Sequence, residues 1–183
     1  MRRLTYFECR RDPAWCLAVL QLAGPTLEEL RLDNPALEHF ATVRAMPRLQ
    51  RLELICFDHV YTVCFDAVAA PLHPGSLKWL RVSRLGEAPT WSLLKGHAAT
   101  LEVVWLVLGT YRAEQWPDWC RPEDLETKLR QCGLQNLQRL VLWRAGAVCQ
   151  DAICRAQLEA TRRALQSCTV LCTSCDNVPC EEF

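Results

Sequence analysis

Neither sign of charge prevails in this chain: lysine plus arginine and aspartate plus glutamate number 21 each. The positive excess that phosphate-backbone binding leaves in a sequence is missing, which argues against nucleic acid as a partner. Long apolar runs are missing too. The richest, residues 16–23 and 103–108, fall well short of the roughly 20 residues needed to span a bilayer. The basic start at Met1 gives way to Glu8, Arg10, Arg11 and Asp12, where a secretory signal needs an apolar centre. These absences predict a soluble chain, cytoplasmic or nuclear, with no membrane partner. Histidine is scarce: His39, His59, His73 and His97 stand at no metal-ligand spacing from one another, and a surface or loop place is expected for each. No glycine-rich phosphate loop and no serine nucleophile elbow occurs. The acidic group Asp118, Glu123, Asp124 and Glu126 suits a helix start, where it favours the dipole. The expectation is a protein that is not an enzyme, with no catalytic residues and no cofactor.

What is present is hydrophobic mass and sulfur. Half of the 183 residues are hydrophobic, enough for one domain with an apolar interior. Twelve cysteines would suggest a disulfide framework in a secreted protein. Without a secretory signal, reduced thiols packed as small apolar residues are the first expectation.

A repeat organises the leucines. Leu27-x-x-Leu30-x-Leu32 recurs as Leu49-x-x-Leu52-x-Leu54, Leu77-x-x-Leu80-x-Val82, Leu101-x-x-Val104-x-Leu106 and Leu137-x-x-Leu140-x-Leu142. Weaker copies open the chain at Met1-x-x-Leu4-x-Tyr6 and close it at Leu165-x-x-Cys168-x-Val170. The seven starts are separated by 26, 22, 28, 24, 36 and 28 residues, mostly within or near the roughly 20–29-residue period of leucine-rich repeats. Alternation within each copy predicts a short strand with one buried face.

Helices are predicted between the strands. Asp12-Pro13 opens one through Leu22, with aspartate as cap and proline in the first turn, and Gly24-Pro25 ends it. Asn34-Pro35 is read as opening the next, which ends before Pro47; others are expected over 89–98, 122–132 and 150–166. Residues 60–76 read as irregular and 110–121 as an inserted loop. The resulting fold class is α/β: a leucine-rich-repeat solenoid, or horseshoe, with a parallel sheet on the concave face and helices on the convex face. The domain is expected over 1–173, about seven turns, with a tail at 174–183. Neither end shows a capping turn, the pattern of a piece of something longer.

The phrase from Leu20 to Leu32, with its Gly24-Pro25-Thr26-Leu27-Glu28-Glu29-Leu30-Arg31-Leu32 core, and the phrase from Met46 to Leu54 resemble repeats in the leucine-rich arm of F-box proteins. That resemblance implies substrate recognition for a cullin-type ubiquitin ligase. No F-box segment precedes the first repeat, so a cullin-ligase adaptor is expected as a partner only if an F-box exists outside this chain. The ninth motif position, often asparagine or cysteine in that family, holds Cys9 but then Pro35 and Phe57, with Asn34 and Cys56 one place earlier.

In such a solenoid the outward strand residues form one surface. The residues predicted to bind a protein partner there are Glu29, Arg31, Arg51, Glu53, Trp79, Arg81, Trp105, Arg139 and Trp143. Tryptophan and arginine dominate interface hot spots, which directs attention to the later strands. The plainer account is a solvated sheet face with self-paired arginine and glutamate. The function expected is a protein–protein interaction module; the alternative is a cytosolic structural or inhibitory scaffold with no ubiquitin link.

Cys168, Cys172, Cys175 and Cys180 put four thiols within 13 residues. Packing, or a plain tail, is the ordinary account. Tetrahedral zinc held by four thiolates is the sharper one. A redox pair at Cys172-x-x-Cys175 lacks the helix that should follow, because Pro179 intervenes.

Overall fold

The computed structural model describes residues 1–56, 76–83, 85, 87–107, 124–143, 152–179 and 181. Seven strands form one sheet in the order of the sequence: β1 (Arg3–Glu8), β2 (Glu29–Asp33), β3 (Arg51–Ile55), β4 (Trp79–Ser83), β5 (Val103–Val107), β6 (Arg139–Trp143) and β7 (Thr169–Cys172). Every neighbouring pair is parallel. Parallel neighbours need crossovers, and helices fill five of the six: α1 (Pro13–Ala23), α2 (Leu37–Arg44), α3 (Glu87–Gly96), α4 (Leu125–Gln131) and α5 (Ala152–Ala164), while the connection from β3 to β4 lies largely outside the described residues. The fold is therefore mixed α/β.

The leucine repeat sets the register. Leu30, Leu52, Leu80, Val104, Leu140 and Val170 form one continuous cross-strand ladder, and all are buried in the main core with Leu27, Leu49, Leu77, Leu101 and Leu137, while Leu165 packs against it partly buried. Each such side chain is worth roughly 1.5–3 kcal/mol of burial. From the other side of this core, α1 contributes Cys16 and Leu20, and α2 contributes Phe40 and Val43.

Two local readings need correction. In β1 a register shift falls between Leu4 and Phe7, so Phe7 and not Tyr6 pairs with Leu32. This bulge carries Cys9 one place along, where its N–H donates to the Asp33 carbonyl at 2.9 Å, as Asn34 N–H does to Ile55 and Cys56 N–H to Ser83. The three residues that continue the strands by these backbone bonds are thus Cys9, at the ninth motif position, and Asn34 and Cys56, at the eighth. The second correction concerns α2, which begins at Leu37, not at an Asn34-Pro35 cap. Asn34 is held in the left-handed region, φ 52°, a conformation asparagine tolerates, and its amide donates to the Glu8 carboxylate at 3.2 Å.

The cap of α2 comes from His39, which is fully buried and not on the surface as expected. Its Nδ1 accepts the Ala36 N–H at 2.9 Å, which leaves Nε2–H to donate to the Pro13 carbonyl at 3.0 Å, tying α2 to α1. At α1 the expected cap is present: the Asp12 carboxylate accepts the Trp15 N–H at 3.0 Å. The helices expected over 89–98, 122–132 and 150–166 correspond to α3, α4 and α5 with shifted ends. The irregular stretch at 60–76, all but Ser76, and the insertion at 110–121 lie outside the described residues.

His97 gives a pH prediction. Burial, assisted by Arg44, holds its pKa below the ordinary histidine value, and its Nδ1 is buried without a hydrogen-bond partner. As pH falls through about 6.5, the unfolded chain takes up this proton first. Stability is then expected to fall with pH across that range, and His97→Gln to flatten that part of the profile in thermal melts.

Candidate functional site

Strand alternation sends Arg, Glu and Trp to the sheet face opposite the leucine core, and parallel pairing aligns them in rows. One row runs Arg3, Glu29, Arg51, Trp79, Val103, Arg139 and Thr169. The next runs Arg31, Glu53, Arg81, Trp105, Val141 and Leu171. Adjacent charges in these rows alternate in sign and pair across strands, as opposite residues in a sheet do.

The two ends of the face differ. At the β1–β3 end the charges satisfy one another: Arg3 with Glu29 at 3.3 Å, Arg31 with Asp33 at 3.3 Å, and Arg31 with Glu53 at 3.7 Å. Burial raises the Asp33 pKa above the usual carboxylate value, and Arg31 draws it partly back. Glu29 and Arg31 thus behave as the self-paired face that the plainer account describes.

At the β4–β6 end the face becomes a packed cluster around Arg81. Its guanidinium sits over three indole rings, 5.3 Å from the Trp79 centroid and 5.0 Å from those of Trp105 and Trp143. Arg51 also lies over Trp79, 4.7 Å from its centroid. Trp105 and Trp143 meet edge to face, 6.3 Å between centroids. Arg81 Nη1 donates to Glu53 Oε1 at 2.8 Å. Only 1% of Glu53, 4% of Arg81 and none of Trp105 is exposed, so these residues are not an open surface.

What covers them is the segment after β7, expected to be a tail. Val178 packs against the cluster formed by Trp79, Trp105 and Val141. The main-chain oxygen of Glu181 accepts from Arg81 Nη2 at 2.6 Å, while its carboxylate accepts from Trp79 Nε1 at 3.3 Å and pairs with Arg139. Donors from two separate strands, β4 and β6, therefore converge on a single acidic residue. Charge-assisted bonds of this kind are about twice as strong as neutral ones and fix geometry as well as sign. Seven of the nine predicted residues (Arg51, Glu53, Trp79, Arg81, Trp105, Arg139 and Trp143) gather here, with Glu53 bridging to the charged end. Val178 and Glu181 were not anticipated; the signal was an apolar residue and an acidic pair in a segment with no repeat.

The thiols fall into two groups. Burial pushes Cys132 up to about 11 and Cys56 up to about 12, and raises Cys9 further. These are protonated thiols packed in the core, poor nucleophiles. Of the four cysteines expected near the end, Cys168 faces the Thr169 carbonyl at 3.7 Å, away from a thiol cluster, and Cys180 lies outside the described residues. Cys172 and Cys175 instead meet Cys154 of α5, the three Sγ atoms lying within 4.8 Å of one another.

No protein-family model matches the chain, and neither a curated protein nor a solved structure does. Among the described residues no helix is long and apolar enough to cross a membrane.

Proposed function

We propose that this chain is a leucine-rich-repeat recognition module whose concave face binds an extended acidic segment of a protein partner between β4 and β6. The observation that carries this reading is Glu181, whose carboxylate and carbonyl both engage the Arg81, Trp79 and Arg139 donors. Val178 and Glu181 thus act as an internal stand-in for the partner. An apolar residue three places before the acid meets the tryptophans, as Val178 does. Sequential parallel strands with helices in the crossovers support the solenoid reading.

The test uses a labelled peptide with the sequence of residues 174–183. Wild-type protein should bind it weakly, because its own segment competes. Glu181→Lys should displace that segment and tighten peptide binding at least about tenfold, the gain that roughly 1.4 kcal/mol of relieved competition provides. Adding Arg139→Glu should abolish the gain. Unchanged affinity in Glu181→Lys, measured by fluorescence anisotropy, would overturn the reading.

Delivery of the partner to a cullin-type ubiquitin ligase rests on the repeat resemblance. Capture of a cullin adaptor with the protein from cells would support it; capture of a partner without one favours a scaffold that occupies the partner's surface.

A further inference from the structure

We infer that Cys154, Cys172 and Cys175 form a thiolate site for a zinc ion, at the root of the segment that crosses the sheet face. Cys154 comes from the inward side of α5, one turn before Leu158 and two before Thr161, all buried. Cys172 ends β7 and alternates with Leu171 to point to the core side, as Val170 does. Cys175 follows in the turn and packs against that core.

The turn is braced for this arrangement. Asp176 N–H donates to the Cys172 carbonyl at 2.9 Å, and Asp176 Oδ2 accepts the Cys172 N–H at 2.7 Å. Arg162 of α5 holds both Asp176 carboxylate oxygens, at 2.9 and 3.0 Å, and its Nε donates to the Val170 carbonyl at 3.0 Å. The helix that supplies Cys154 therefore also fixes the turn that supplies Cys175. Asn177 completes the turn with a left-handed φ of 50°.

The distances suit a shared ion. Cys154 Sγ lies 3.9 Å from Cys172 Sγ and 4.0 Å from Cys175 Sγ. Sulfurs bound tetrahedrally at a zinc–sulfur distance of about 2.3 Å stand about 3.8 Å apart. A disulfide needs about 2.05 Å, and none of the three is in one. Packing accounts for a single buried thiol, as at Cys132, but gives no reason for three from separate elements to converge with their sulfurs in mutual reach. Three protein ligands leave a fourth tetrahedral position for water or another donor. Loading the site replaces three S–H bonds by zinc–sulfur bonds and releases three protons to solvent, so affinity should rise with pH. The inference is independent of what the sheet face binds.

The probe is cobalt(II), titrated into the reduced full chain and then displaced by zinc(II). One equivalent should produce an intense near-ultraviolet thiolate-to-cobalt charge-transfer band, which zinc abolishes. Cys154→Ser and Cys175→Ser should each weaken or remove that band, while Cys132→Ser, a core thiol elsewhere, should leave it unchanged. The wild-type titration decides the matter even if a variant folds poorly. No charge-transfer band in the wild type, or a band undiminished in Cys154→Ser, would overturn the site.

Discussion

Glu53→Ala is expected to destabilise the protein by about 3–5 kcal/mol, the cost of leaving the charge of a buried pair without its partner. Glu53 and Arg81 are almost completely buried and joined at 2.8 Å. Surface pairs such as Lys78–Glu102, also close at 2.9 Å but exposed, are worth at most about 1 kcal/mol. The difference lies in solvent, since Arg81 without Glu53 keeps its charge among three indole rings. Those rings offset part of the loss through their negative faces, by about 2 kcal/mol at a desolvated site. Replacing both residues by methionine should recover most of the stability, because the desolvation cost of both charges disappears with the pair. Urea denaturation of Glu53→Met, Arg81→Met and the double variant measures this coupling. A single-variant cost below about 1 kcal/mol would mean that water screens the pair as it screens surface pairs.

Trp105→Ala is expected to cost about 3–5 kcal/mol of folding stability, as for a large buried aromatic. Trp105 is fully buried on a face expected to be open, under Arg81, Val178 and Trp143. Its substitution therefore tests the fold and is a poor probe of binding. Trp143, only partly buried at the same cluster, should cost distinctly less. Equal and small losses for the two, read from denaturant midpoints, would show that the tryptophan cluster is not packed as described. Binding is better probed at Arg139 and Glu181, which are each about a third exposed and can be changed without opening a cavity.

Much of the architecture was legible in the leucines. Strand positions and register follow from the motif because a parallel strand with one buried face admits no slip that keeps its leucines inside. Leu30, Leu52, Leu80 and Leu140 accordingly lie in one ladder. The bulge in β1 was not legible: Leu4, Tyr6 and Phe7 offer apolar side chains for either register, and pairing with β2 decides between them. The Asn34-Pro35 start of α2 failed for a similar reason, since asparagine suits a left-handed turn as well as a helix cap.

At the candidate site, the residues on the strands were legible and their cover was not. Arg81 and Glu181 are 100 residues apart, and no local period links them. The same applies to Cys154, which lies 18 residues before Cys172 on a different element. Spacing alone grouped Cys168 with Cys172 and Cys175, whereas strand alternation and the inward side of α5 select Cys154.

The strand order has a mechanical consequence once the crossing segment is considered. A sheet in which each strand is bonded only to its sequence neighbours can peel from an edge one repeat at a time. Glu181 works as a strap beyond β7: it fastens to Arg139 on β6 and to Trp79 and Arg81 on β4. Detaching the last strand therefore also strains anchorage near the centre of the array, which binds the late repeats into one cooperative unit.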